Sequence, residues 1–223
     1  MIVYIYDKNN WFKKEHDCQP CPKTGGWLYP AEGIYTEIKP ALTKGYAYQW
    51  DGKRWIEFED NRKKVLYNKS TKNKVVCETI ELPEDCTELE PKKCDVWDGK
   101  GWTKDIELVR ADKYTETKQG FYNALANGIF MSETLKIEID CRRNGTNNDL
   151  QNIQTLYDYM DRASIDSVEY IGYTEKKSAS KSQIKDIIVE MGNYGLSLYK
   201  KKWELEEKIK KATKIDTLEK IIW

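Results

Sequence analysis

Short runs in which apolar and polar residues alternate fill much of residues 1–103, and longer runs with helical spacing fill much of 104–223. Alternation at period two marks a strand with one buried face, and recurrence every three to four residues marks a helix with an apolar stripe. Ile2–Tyr6 alternates, Asp7–Asn10 is turn chemistry, and Trp11-Phe12 begins a return strand, so residues 1–15 predict a hairpin. Residues 18–43 are rich in Pro and Gly, with Trp27–Pro30 and Ile38–Pro40 as isolated extended pieces. From Gly45 to Asn68 the pattern predicts a β module in which Tyr46, Tyr48 and Trp50 share one strand and Trp55, Glu57 and Phe58 the next. Lys64–Tyr67 and Lys74–Ile80 predict a further strand pair, followed by a link from Pro83 to Pro91.

Beyond Thr103 the period changes. Ile106, Val109, Tyr114, Phe121 and Leu125 have broadly helical spacing, weakened between Thr115 and Gly120, with Gly128 as a stop. Leu135, Ile137 and Ile139 alternate with Lys and Glu as a half-buried strand, and Asn144-Gly145 turns out of it. Asp149 opens a helix with Leu150, Ile153, Tyr157 and Met160 on one face, and Val168–Ile171 is a short strand. Ser180 and Gln183 stand at capping-box spacing before a long amphipathic helix carrying Ile184, Ile187, Met191, Leu198, Leu205 and Ile209. Gly192 and Gly195 weaken its middle by about 1 kcal/mol each relative to Ala and allow a bend. A short helix through Leu218 and Ile221 ends at Trp223, which is expected to pack back onto a core. The fold class expected is α+β: small antiparallel β modules in 1–103, then a helix-rich domain with a short β element in 104–223.

One pattern repeats. WDGKRW at Trp50–Trp55 returns as WDGKGW at Trp97–Trp102, 97 − 50 = 47 residues later. Asp-Gly is a strong hairpin signal, with φ > 0 wanted at both turn positions, and flanking Trp rings can meet across the strands. Duplicated small modules suit holding or recognising something. Two readings of their rings stand side by side: the cores of modules too small for other cores, or platforms that bind a partner or a glycan. On the second reading the candidate binding residues are Tyr46, Tyr48, Trp50, Trp55, Trp97 and Trp102.

Composition removes several classes of function. Lys+Arg and Asp+Glu both number 37, so no net charge draws the chain to nucleic acid or to an anionic membrane. Mean hydropathy is −0.79, and no run approaches the roughly 20 apolar residues of a membrane span. Six cysteines in a chain with no signal-length apolar start are expected as reduced thiols, and the cytosol as the compartment. His16, Cys18 and Cys21 offer three zinc ligands without a fourth, so no metal is expected. With His16 the single histidine, triads and multi-histidine sites are out of reach, and no glycine-rich phosphate loop follows a strand. Carboxylates abound, but no pair stands out; no catalytic residue and no cofactor are assigned.

The landmarks in order resemble a family of bacteriophage and prophage tail-fibre-associated proteins, the tail fibre assembly-like proteins. The resemblance rests on VYIYD, CPKTGGWLYPAEGIYTEIKP, KGYAYQWDGKRW and DNRKKVLYNK in the first half. In the second half it rests on ADKYTETKQGF, IEIDCRRNGTNNDLQNIQTL, VEYIG, SKSQIKDIIVEM and the ending LEEKIKKATKIDTLEKIIW. It implies a non-enzymatic role: a chaperone of fibre folding or a small component of the fibre or tail tip, partnered by a tail fibre or other tail protein. The implied location is the host bacterial cytoplasm during assembly, or the virion tail, within an oligomeric assembly. The alternative is a receptor-binding module that reads host surface glycans through exposed aromatic rings.

Overall fold

Ile2–Tyr6 (β1) pairs antiparallel with Phe12–Asp17 (β2) on one side and with Tyr35–Thr36 (β3) on the other, and a hairpin of Tyr46–Trp50 (β4) and Trp55–Glu59 (β5) follows. In this computed structural model, which describes residues 1–31, 33–144 and 147–223, the same arrangement then recurs. Val65–Asn68 (β6) lies between Lys74–Val76 (β7) and Cys86–Thr87 (β8), and the hairpin of Asp95–Trp97 (β9) and Trp102–Lys104 (β10) follows.

The two arrangements correspond residue by residue. Tyr4 pairs with Thr36 as Tyr67 pairs with Thr87, and the Cys18 amide donates to Met1 O (2.8 Å) as the Cys77 amide donates to Lys64 O (2.9 Å). Thr36 Oγ1 accepts from the Ile38 amide and Thr87 Oγ1 from the Leu89 amide, both at 3.2 Å. Val3 and Leu66 are each wholly buried at the centre of their sheets, and Cys18 and Cys77 are buried with them. MIVYI therefore answers to KVLYN, YTEIKP to CTELEP, and WDGKRW to WDGKGW. The offset falls from 64 − 1 = 63 to 77 − 18 = 59, 87 − 36 = 51 and 97 − 50 = 47, so each stretch between these equivalent residues is shorter in the second copy.

Several expectations need correcting here. The link from Pro83 to Pro91 contains β8, and β7 ends at Val76 rather than Ile80. The Asp-Gly turns hold four residues, and of the Asp-Gly positions only Gly52 (φ +96°) and Gly99 (φ +100°) have positive φ. The aspartate acts through its side chain instead: Asp51 Oδ1 accepts from the Lys53 and Arg54 amides, and Asp98 Oδ1 from the Lys100 and Gly101 amides, at 2.7–2.9 Å. Those amides hold both carboxyls below the usual carboxylate range.

The chain divides into two compact units, Met1–Thr103 and Lys104–Trp223. In the second, α1 (Ile106–Ala126) starts on Asp105, whose carboxylate accepts from the Glu107 and Leu108 amides, and runs unbroken through Thr115–Gly120. Its C-cap is Asn127, not Gly128. Gly128 instead allows a close approach, since a Cβ there would lie 3.1 Å from Cys141 O. Ile129–Met131 (β11) pairs with Glu138–Asp140 (β12). Leu135, Ile137 and Ile139 are all buried, yet regular strand begins only at Glu138, because Lys136 (φ +55°) bends the chain while its amide donates to Ser132 O. Arg143–Asn144 (β13) pairs with Asn147–Asn148 (β14), and the expected turn at Gly145 lies outside the described residues.

The helix α2 (Asp149–Arg162) follows, then Ser167–Ile171 (β15) paired with Lys176–Ser180 (β16), a strand that the sequence pattern does not reveal. The long helix α3 (Lys181–Lys211) opens on a complete capping box: the Gln183 amide donates to Ser180 Oγ and Gln183 Oε1 accepts from the Ser180 amide. Ser180→Ala should therefore lower unfolding free energy by about 1 kcal/mol, read as a lower denaturation midpoint. Leu135, Ile137, Ile139, Ile153, Met160, Ile184, Ile187 and Met191 form the core of this unit. Arg110 on α1 donates to the Ile209 and Ala212 carbonyls, closing the end of α3. Trp223, after α4 (Ile215–Glu219), packs back as expected: its ring lies 6.1 Å from Phe121 and occupies the space a Cβ on Gly120 would need.

Candidate binding surfaces

The paired tryptophans serve the fold first. Trp50 and Trp55 meet edge to face at 5.2 Å between ring centroids, and Trp97 and Trp102 at 5.3 Å. The second ring of each pair donates its indole N–H to a preceding carbonyl, Trp55 to Ile38 O (2.6 Å) and Trp102 to Leu89 O (2.7 Å). The first ring of each rests on equivalent positions, since 6 + 63 = 69: Tyr6 stacks on Trp50 in one copy, and the Lys69 ammonium lies 5.1 Å from the Trp97 ring in the other.

Of the six candidate residues, Tyr48 and Trp50 are buried, and this corrects their assignment as a binding face. The Tyr48 hydroxyl accepts from the Thr43 amide and donates to Glu57, so its polar end is used as well. Trp55, Trp97 and Trp102 are half-buried in equivalent scaffold roles. Tyr46 alone of the six is exposed, at 46 %.

Tyr46 lines a groove of about 520 Å³ together with Trp11, Leu42, Lys13, Asp7 and Arg62. A second hollow of about 380 Å³ shares Trp11 and Arg62 and adds Glu78, Thr79 and Glu81. Trp11 is half-exposed and propped edge-on by Phe58 at 5.2 Å. Its backbone amide donates to Asp7 Oδ1 at 2.9 Å, which fixes the loop that carries it. Arg62 donates from Nε (2.8 Å) and Nη2 (2.6 Å) to Asp60; that pairing depresses the carboxyl's pKa and raises the guanidinium's. The sequence pattern gave Trp11 only a strand-opening role and Arg62 none.

A different surface lies on α3. Val189, Leu196 and Trp203 are seven residues apart, with Gly192 and Tyr199 three residues after the first two, which is heptad spacing. All four side chains are exposed, at 55 %, 45 %, 52 % and, for Tyr199, 39 %. They lie away from the buried face of Ile184, Ile187, Met191, Leu205 and Ile209. Tyr199 packs against Phe121 (4.8 Å) and Trp203 (5.8 Å), which holds the two aromatic members in place.

The structure also singles out one carboxylate pair, which sequence alone did not. Asp140 and Asp149 line a hollow of about 180 Å³ with Tyr170. Arg142 holds the Asp140 carboxyl below its usual range, whereas burial and then the Asp140 charge push Asp149 up. Burial pushes Tyr170 up to about 12. The hollow is smaller than the roughly 300–1,000 Å³ typical of small-molecule sites.

Among the described residues, no group of three or more His, Cys, Asp or Glu is placed to hold a metal ion. Cys18 is buried after the end of β2 and Cys21 sits in a turn, its thiol pKa lowered by the Thr24 hydroxyl and then the Lys23 and Thr24 amides. Cys18, Cys21, Cys77, Cys86 and Cys94 form no disulfide. No described helix is long and apolar enough to cross a membrane. Comparison with family models, curated proteins and solved structures gives no match.

Proposed function

We propose that this chain is a non-enzymatic accessory protein of a bacteriophage or prophage tail, which binds a tail fibre or the tail tip and assists its assembly or forms part of it. The observation that carries the reading is the exposed heptad stripe on α3, a second apolar seam on a helix whose first seam is already buried. Such a seam suits docking of a partner helix. Gly192 fits the same use. It lowers helix stability, a Cβ there would meet nothing within 4 Å, and a glycine on a seam lets a second backbone come close. The resemblance of the ordered landmarks to tail fibre assembly-like proteins supplies the partner class. On this reading the protein works in the host bacterial cytoplasm while fibres fold, and in the virion tail if it is retained.

The test is co-expression with the fibre encoded beside it. Wild-type protein should co-purify with a soluble, trimeric fibre. Trp203→Glu should reduce recovery of the complex at least tenfold while leaving the protein's circular dichroism unchanged. Gly192→Ala should stabilise the free protein by about 1 kcal/mol and still weaken the complex. A fibre that trimerises alone and never co-purifies with this chain would overturn the proposal.

A further inference from the structure

The two copies in the first unit separate what maintains the fold from what differs between them. Positions shared by both copies are structural: Val3 and Leu66, Cys18 and Cys77, Thr36 and Thr87, and the two Trp-Asp-Gly turns. Of the three stretches that are longer in the first copy, two feed the same groove. The hairpin of β1 and β2 is longer by 63 − 59 = 4 residues, taken up by its longer strands, and supplies Asp7 and Trp11; the stretch from β3 through β4 is longer by 51 − 47 = 4 and supplies Leu42 and Tyr46. Tyr46, counted back from the tryptophan, answers to Lys93 in the second copy, since 46 + 47 = 93. The link between β5 and β6 closes the groove with Arg62, and the second copy with Ile80.

From this convergence we infer that the groove is a saccharide-binding site, in which Trp11 and Tyr46 take the apolar face of a pyranose ring and Arg62 hydrogen-bonds its hydroxyls. The chemistry favours a sugar. A pyranose presents a C–H face to an aromatic ring and hydroxyls at its edge, and this groove sets aromatic faces beside fixed polar groups. Asp60 holds the Arg62 guanidinium in place, and its Nη1 remains for an acceptor. The Trp11 indole N–H makes no hydrogen bond among the described residues, unlike those of Trp55 and Trp102. The adjoining hollow, which shares the Trp11 wall, adds Glu78, Thr79 and Glu81 as hydroxyl partners and makes room for more than one ring. A volume of about 520 Å³ falls within the range of small-ligand sites. This assignment stands apart from the tail reading and survives or fails on its own.

The test applies full-length protein to an array of defined oligosaccharides, then titrates each hit by intrinsic tryptophan fluorescence. Binding should weaken at least tenfold in Trp11→Ala, in Tyr46→Ala and in Arg62→Met, and should stay unchanged in Lys93→Ala, the counterpart position. Tyr46 and Arg62 are exposed, so their variants keep the test sound if Trp11→Ala misfolds. An array without hits, or hits that keep their affinity in Tyr46→Ala and Arg62→Met, overturns the assignment. So does loss of fibre co-purification in Tyr46→Ala with no sugar bound, which would make the groove a protein-docking site.

Discussion

Trp50→Ala should destabilise the first unit by about 3–5 kcal/mol, the usual cost of deleting a buried large aromatic side chain. The ring is 9 % exposed, stacks on Tyr6 and meets Trp55 edge to face, so its removal opens a cavity that flat aromatic neighbours fill poorly. The counterpart change, Trp97→Ala, should cost clearly less, about 1–3 kcal/mol, because that ring is half-buried and rests under the Lys69 ammonium instead of a tyrosine. Urea unfolding of the two variants, followed by near- and far-ultraviolet circular dichroism, gives the comparison. Equal losses, or a negligible loss in Trp50→Ala, would contradict the view that these tryptophans are scaffold before anything else.

Gly172→Ala should cost the second unit about 3 kcal/mol, at the upper end of what overpacking by one methyl group exacts. A Cβ at this position would lie 2.5 Å from the backbone oxygen of Glu138 and 2.9 Å from Ile137 Cδ1. The side chain of Ile137 can give way, but the carbonyl cannot: the Tyr173 amide donates to that same Glu138 oxygen at 2.7 Å. The hairpin of β15 and β16 would have to lift from β12, loosening a core that includes the fully buried Ile139 and Ala179. A thermal midpoint within 1 °C of wild type would show that this contact is softer than drawn. Gly192→Ala provides the opposite sign in the same unit, because there the added methyl meets open space.

Features encoded by neighbouring residues were legible in the sequence. The capping box at Ser180, the helix opening at Asp149, the first hairpin and both Trp-Asp-Gly turns all depend on residues a few positions apart. Features that depend on distant partners were not. Tyr35–Thr36 and Cys86–Thr87 are two-residue strands made only by lying against β1 and β6, and KKSAS at Lys176–Ser180 shows no alternation, although Ala179 is fully buried. The wider correspondence of the two copies escaped detection because its offset shrinks along the chain, so no single shift aligns more than one segment. Period-two alternation put Tyr46, Tyr48 and Trp50 on one side of β4, but not which of them a neighbouring element covers. That depends on Tyr6 and Glu57, which reach the strand from elsewhere. The aromatic stripe on α3 was hidden for the opposite reason: with one face satisfying the amphipathic pattern, the remaining apolar positions looked incidental.

The shortening from the first copy to the second shows how little chain this β topology requires. Its second version closes three strands and a hairpin with less chain, and its first carries the same plan in extended form. The bends behave as interchangeable cassettes: grafting the Lys69–Asn73 bend in place of the Asp7–Trp11 bend, five residues for five, would leave hydrogen-bonded rails standing on either side. A scaffold organised this way can acquire a new ligand by exchanging a few residues at its seams, without reopening the question of how it folds.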